Sequence, residues 1–433
     1  MRSTRDKGMM STVEIQIAER SQKYQGEALT NLHQYIDEQF IRECFYSLNR
    51  QSASGADEET WKQYAEQQNE RIPQLVSGFK SGSYKAPAIR RTYIPKGDGK
   101  LRPLGIPTIE DKLLQTAVSK VVSPIYEQMF HSNSYGFRSG KSAHQALEEL
   151  FQEVSFRGKR YIIDADIQNY FGSINHQMLR GFLDERIKDG VIRKMIDKWL
   201  KAGILEEGHI SYPTEGTPQG GSISPLLSNI YLHYVLDEWF IKQIKPLLKG
   251  ESFLVRYADD FLLGFTEEED AQRVMAVLPK RFGKHALTLH PEKTKLIKLD
   301  SEDDTFDFLG FTHYMGKSLK GNPVLKRKTS SKKLRASLIG MNQWMRENRH
   351  DEVIHIIKDL NRKLRGYYEY YGITFNGKVL NAYYDRTKKM LHKWLNRRGG
   401  KHKLSWEKYS QYVEQWHPLL KPKIYHSYIL AKP

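Results

Sequence analysis

Two apolar, strand-forming runs meet at a pair of adjacent carboxylates in Phe253-Leu254-Val255-Arg256-Tyr257-Ala258-Asp259-Asp260-Phe261-Leu262-Leu263. Short runs of this kind favour a strand on each side of the acidic pair. Carboxylates flanked so closely by apolar residues are costly unless they sit in a turn or bind a cation. A hairpin would place Asp259 and Asp260 at its tip, where a metal can be held. An ordinary Asp-Asp turn gives the same local pattern, and this segment alone does not separate the two.

A second acidic pair bears on that choice. In Tyr161-Ile162-Ile163-Asp164-Ala165-Asp166-Ile167 two carboxylates lie two residues apart in a buried-looking strand, and strand periodicity puts both on one face. Periodicity does not say which of them binds metal. A third segment, Gly216-Thr217-Pro218-Gln219-Gly220-Gly221-Ser222-Ile223-Ser224-Pro225, leads into a helical run from Leu226 to Phe240. Its glycines let backbone approach a ligand closely, Ser224 suits a helix cap and Pro225 the first turn.

The remaining segments read coarsely as mixed α/β followed by helices. Helices are expected from Leu29 to Phe79, broken at Ser52–Gly55 and near Pro73, and from Lys112 to Phe130 around Pro124. Thr92–Pro95 and Arg102–Ile106 flank Gly97-Asp98-Gly99 as strand, turn and strand. Gly316–Ser331 is basic and interrupted by Gly321 and Pro323, which reads as a linker.

Charge separates the two halves more sharply than secondary structure does. The net charge is +17, yet residues 316–433 hold 27 Lys and Arg against 8 Asp and Glu, a net of +19. The first 315 residues, with 41 basic and 43 acidic, are close to neutral. A basic surface interleaved with tyrosines suits a nucleic acid, through phosphate contacts and base stacking, although a solvated surface has the same composition. No apolar run reaches the ~18 residues that a membrane span needs, and Met1–Arg20 has no apolar leader, with Asp6 and Glu14 unlike a transit peptide. A soluble intracellular protein is the expectation. The single Cys44 excludes a disulfide framework and a cysteine zinc site.

Taken together and in this order, from about Leu32 to the C-terminus, these segments resemble the group II intron-encoded reverse transcriptase (maturase) family. Tyr257-Ala258-Asp259-Asp260 resembles its catalytic box, Asp164-Ala165-Asp166-Ile167 its first catalytic strand, and Pro218-Gln219-Gly220-Gly221 through Asn229-Ile230 its template and nucleotide contact box. Ile94-Pro95-Lys96 through Arg102-Pro103-Leu104-Gly105-Ile106-Pro107 is similar to the fingers block, Ser134-Tyr135-Gly136-Phe137-Arg138 to the next block, and Phe308-Leu309-Gly310-Phe311 to the end of the palm. Leu360-Asn361 and Leu364-Arg365-Gly366-Tyr367-Tyr368-Glu369-Tyr370-Tyr371 resemble the thumb, or maturase domain X, where helix packing is the competing role for the tyrosines.

The resemblance implies an α+β, right-hand polymerase with an all-α thumb: an N-terminal extension and start of fingers at 1–91, fingers and palm at 92–315, and a basic thumb at 316–433. It implies an RNA-directed DNA polymerase using two Mg²⁺ ions, ~3.5–4 Å apart in such sites, to activate the primer 3′-OH and stabilise the leaving pyrophosphate. Asp166 and Asp259 would be direct ligands, Asp260 the third member of the triad, Ile167 a further metal and nucleotide contact, and Asp164 structural. Lys96 and Arg102 would embrace the triphosphate, Phe171 would exclude a 2′-OH unless it is a core residue, and Pro218 and Gln219 would contact substrate. Lys293 would assist the pyrophosphate or is simply solvated. Lys388, Lys389, Arg397 and Arg398 are candidate RNA contacts. Implied partners are template and intron RNA, DNA primer or target, and deoxynucleoside triphosphates, with no membrane.

The pattern departs from the family at Gln168, Gly172 and Asn175, where a basic residue and two carboxylates are usual. That puts local helix capping and primer handling in question, with Ser173 as a substitute cap. With one cysteine, an endonuclease module of the paired-cysteine kind is not expected, which resembles the endonuclease-lacking IIC-type subclass and its use of a pre-existing primer. Two other readings stand beside an intron-serving enzyme: the same polymerase domesticated for repair or defence, and a non-catalytic RNA-binding splicing factor, which predicts damaged metal ligands.

Overall fold

The computed structural model describes residues 11–95, 101–217, 220–318, 320–399 and 404–428, so Lys96, Pro218 and Gln219 lie outside the described residues. The chain divides into two compact units, one comprising residues up to Ala146 with Tyr161–Leu296, the other Leu147–Arg160 with residues from Ile297 onward.

The first unit begins with helices whose starts are written locally. Ser11 and Glu14 form a capping box for Thr12–Lys23, Asp37 caps Glu38–Ser47, and Thr60 with Gln63 forms a capping box for Trp61–Ser81. Pro73 does not break the last of these. Proline removes one hydrogen bond, but Ile72, Leu75, Val76 and Phe79 are buried around it, and burying such side chains contributes about 1.5–3 kcal/mol each. The helix Ile109–Glu127 likewise runs through its buried Pro124.

The strands of this unit are β1 (Ile89–Pro95), β2 (Leu101–Ile106), β3 (Tyr161–Ala165), β4 (Ile204–Glu206), β5 (His209–Ser211), β6 (Ser252–Tyr257), β7 (Asp260–Phe265) and β8 (Lys295–Lys298), along which the chain leaves the unit. One sheet has the order β2-β1-β4-β5, with Ile94 opposite Arg102 in an antiparallel hairpin. The other has the order β6-β7-β3-β8. Its β3, β6 and β7 contribute Ile163, Ala165, Leu254, Phe261, Leu263 and Phe265 to a core shared with Leu113, Leu114, Ala117 and Val118 of the helix Ile109–Glu127. The third segment supplies the helix Ser224–Leu232, continued by π-helical turns over His233–Asp237 and Trp239–Ile244. Ser224 is its first helical residue rather than its cap, a position taken by Ile223.

The second unit holds β9 (Thr305–Phe308), β10 (Phe311–Lys317) and β11 (Pro323–Thr329) in the order β11-β10-β9, followed by the helices Ser331–Glu347, Val353–Tyr371 and Gly377–Leu395. The stretch 316–331 is therefore not a linker and 316–433 is not all-α: β10 and β11 pair along their length from Phe311↔Thr329 to Lys317↔Pro323. A division at residue 315 falls inside β10. The strand was hidden by its basic residues, one of which, Arg327, is buried with Val324 and Leu325 and lies over the rings of Phe151 and Tyr428. Tyr367, Tyr368, Tyr371 and Tyr383 are also buried, with Tyr367 and Tyr383 stacked at 3.8 Å, so these rings hold helices together and are closed to bases. No described helix is long and apolar enough to cross a membrane.

Candidate active site

The hairpin between β6 and β7 turns through Ala258 and Asp259, because Tyr257 pairs with Asp260. Ala258 has φ +59°, and a positive φ at the first central residue alone belongs to the type II′ turns that match the twist of a hairpin. Glycine is the residue that normally takes this position, so Ala258 stores strain that its surroundings must hold.

Those surroundings centre on Arg256. Its guanidinium is fully buried and donates to both carboxylate oxygens of the equally buried Asp237, Nε to Oδ1 at 2.9 Å and Nη2 to Oδ2 at 2.5 Å. Nη1 donates to the Ala258 carbonyl at 3.0 Å and to Asn229 Oδ1 at 2.9 Å, while Asn229 Nδ2 donates to the Gly136 carbonyl at 2.7 Å. The Arg256 backbone pairs with Asn133 and Tyr135. A Cβ on Gly136 would lie 2.3 Å from the Ala258 nitrogen, so the resembling block Ser134–Arg138 seats its glycine directly against the turn. Sequence reasoning did not find Arg256 or Asp237. A signal was present, since an arginine inside a fully apolar strand requires an acidic partner.

Asp166 reaches the same end of the sheet. The β3–β7 ladder closes at Ala165↔Phe261, which makes Asp166 and Asp260 the next residues on adjoining strands. The Asp166 carbonyl accepts from His290 at 2.7 Å, and Gln168 donates to Thr288 at 2.8 Å. Ile167 bridges Leu289 between these two bonds, so its own amide and carbonyl are directed away from that partner. Lys293, on the same loop as His290, donates to Asp166 Oδ2 at 2.5 Å. Both side chains of this pair are about half exposed or more, so it contributes little, about 0–1 kcal/mol, and is readily displaced.

Electrostatics link Asp259 to its neighbours. Burial above all, and also the charge of Asp166, raise the Asp259 carboxyl above the usual carboxylate range, while its own backbone N–H, Arg102 and Arg256 pull the other way. Two hard oxygen donors that repel one another at a half-buried turn suit a hard divalent cation, which would relieve both causes of the shift. Arg102, exposed on β2, is close enough to act on Asp259. The structure thus brings together Asp166, Asp259 and Arg102, with Asp260 adjoining.

Phe171 is half-buried against the core beside Tyr170, and its carbonyl accepts from Thr217 at 2.7 Å. Gly216 donates to Ile174 and accepts from His176, which ties the segment ending at Thr217 to the one that carries Phe171. The unusual residues here have local explanations. Asn175, not Ser173, caps the helix His176–Asp184, with Oδ1 accepting from Met178 at 3.0 Å. At Gly172 a Cβ would lie 2.3 Å from the amide of Asn169, so a carboxylate would displace that side chain.

Lys388 and Lys389 lie in the C-terminal half of the helix Gly377–Leu395, and Arg397 and Arg398 lie just beyond it. Lys389 and Arg397 are exposed, Lys388 is half-buried, and Arg398 donates to the carbonyls of His350 and Asp351.

Residues 94–313 match the family described as reverse transcriptase (RNA-dependent DNA polymerase), and residues 335–413 match the group II intron maturase-specific domain. The chain is 39% identical over 241 residues to the group II intron-encoded protein LtrA of Lactococcus lactis, covering 54% of this chain and 39% of that protein. It is 36% identical over 265 residues to protein YkfC of Escherichia coli, covering 53% of this chain and 68% of that one. An uncharacterised 91 kDa protein in the cob intron of Schizosaccharomyces pombe is 41% identical over 174 residues, 40% of this chain and 21% of its own length. The mixed α/β fold with its helical C-terminal region is consistent with a right-hand fold. This chain belongs to the reverse transcriptase family. Enzymes of this family generally use divalent metal ions.

Proposed function

We propose that the chain is an RNA-directed DNA polymerase that adds deoxynucleotides to a primer on an RNA template, and that its maturase-like region grips group II intron RNA to assist splicing and mobility. The observation that carries the polymerase reading is the meeting of Asp166, just past the end of β3, with the hairpin turn that holds Asp259 and Asp260. Asp166, Asp259 and Asp260, with the Ile167 carbonyl, would hold two Mg²⁺ ions, hard cations that favour carboxylate and phosphate oxygens. When bound, such ions supply Lewis-acid activation of a hydroxyl nucleophile and charge neutralisation at a leaving phosphate.

The chain's own groups do the rest. Arg102, with Lys96, binds the triphosphate by charge and orients it. Arg256 and Asn229 hold the turn so that Asp259 is positioned before substrate arrives. Pro218 and Gln219 contact template and nucleotide. Lys293, whose exposed pair with Asp166 is weak, would be available to the departing pyrophosphate. A non-catalytic splicing factor would have no use for this constellation. Extension of a DNA primer on an RNA template by the full chain, set against binding without extension, separates the two readings. Group II intron RNA encoded around the gene would distinguish an intron-serving enzyme from a domesticated one.

Phe171 provides the test of sugar selection. Phe171→Ala should raise ribonucleotide relative to deoxynucleotide incorporation by roughly ten- to a hundredfold, the range that a single pocket contact supplies. An unchanged ratio, with deoxynucleotide incorporation intact, would leave Phe171 as a core residue only.

The basic region supplies most of the RNA affinity. Arg398 already serves the backbone, so Lys389→Gln with Arg397→Gln is the cleaner variant of the four-residue set. Each lost phosphate contact should lower the salt slope by about 0.7–0.9. Unchanged affinity and slope would move the RNA to the fingers and palm and leave the +19 of this region to solubility.

A further inference from the structure

We propose that His131, His233 and Glu238 form a binding site for one borderline divalent cation of the zinc class, separate from the aspartates of the hairpin. One ligand atom from each of the three lies within 4.8 Å of the others. His131 Nε2 is 2.6 Å from Glu238 Oε1, and His233 Nε2 is 3.9 Å from the same oxygen. Zinc bound at about 2.0–2.2 Å in a tetrahedron separates its ligand atoms by roughly 3.3–3.5 Å. The observed separations lie on both sides of that value, so side-chain movements of about an ångström complete the set.

The surroundings favour a cation over a plain hydrogen-bonded cluster. His233 is 1% exposed and neither of its ring nitrogens has a hydrogen-bond partner among the described residues. A buried, orphaned imidazole nitrogen is expensive, and a metal at Nε2 satisfies it. Glu238 divides its oxygens, with Oε1 facing both histidines and Oε2 accepting from Lys242. Ligating carboxylates are commonly held in this way by a second group. His131 and Glu238 retain 24% and 21% side-chain exposure, which leaves an entry path and room for water as a fourth ligand.

The backbone is wound to make this possible. His233–Asp237 is π-helical, and the Glu238 N–H donates to the His233 carbonyl in an i→i+5 bond that brings both side chains onto one face. In an α-helix residues five apart do not share a face. Two imidazoles and one carboxylate select zinc, cobalt or nickel over magnesium. Asp237, the partner of Arg256, lies within this turn, and Asn133, which pairs with the Arg256 backbone, lies two residues beyond His131. A bound ion would therefore pin together the two segments that support the catalytic hairpin.

The test uses the untagged full chain, dialysed against Zn²⁺ and assayed by elemental analysis, with Co²⁺ absorption as a spectroscopic probe. The expected result is one equivalent of zinc retained, tetrahedral Co²⁺ bands displaced by Zn²⁺ but not by excess Mg²⁺, and a higher melting temperature with zinc. His131→Gln and Glu238→Gln should each weaken binding at least about tenfold. His131 is partly exposed, so its variant tests the site even if His233→Gln fails to fold. Absence of stoichiometric zinc in the wild type, or equal affinity in folded His131→Gln, would overturn the proposal and assign any binding to other histidines.

Discussion

Asp259→Asn is expected to reduce primer extension at least about a thousandfold, a loss of ~4 kcal/mol in transition-state stabilisation, while RNA affinity stays within about twofold. The same substitution should make the metal-free protein more stable. Burial and Asp166 disfavour the charged form of Asp259 in the folded state, so an uncharged amide removes a cost. The sign carries over to pH. A carboxylate raised above its unfolded value binds more protons when folded, so at this site stability increases as pH falls through the raised value towards the ordinary carboxylate range. Asp259→Asn should remove that part of the dependence. Thermal melts in a chelator, at neutral and mildly acidic pH, read both effects. Near-wild-type extension would remove Asp259 from the metal site, and a large fall in melting temperature would show that the carboxylate is structural.

Arg256→Met should cost about 3–5 kcal/mol of stability, because it leaves Asp237 buried without a counter-charge. For a unit of this size that corresponds to a fall of roughly 6–20 °C in melting temperature. The double variant Arg256→Met/Asp237→Leu replaces the buried pair by apolar volume and should recover most of the stability. It should not recover extension, because the bonds from Arg256 to the Ala258 carbonyl and to Asn229 remain absent. Recovery of both would make the pair a packing feature alone. Recovery of stability without extension, at unchanged RNA affinity, identifies Arg256 as a residue that positions the turn.

The hairpin was legible because it is local: apolar runs on both sides of two carboxylates fix strand, turn and strand within eleven residues. The placement of Asp166 beside it needed the β3–β7 pairing, which joins residues about a hundred positions apart. Arg256 and Asp237 escaped notice for a different reason. Each is an ordinary charged residue by type, and only their joint burial makes them a unit. The basic composition of β10 and β11 resembles a solvated linker for the same reason, since Arg327 is buried only once the strand is paired. At Pro73 the one lost hydrogen bond is outweighed by the burial around it, which is not visible in the local sequence. Asn175 was counted as a missing charge, although an amide oxygen caps a helix as well as a carboxylate does.

The most direct measurement is single-turnover extension of a DNA primer on an RNA template by the wild-type chain, with deoxynucleotides and a Mg²⁺ titration. Templated addition that requires Mg²⁺, stops in a chelator and is lost in Asp166→Asn is the expected result. RNA binding without any templated addition, or addition that persists in Asp166→Asn, would contradict it.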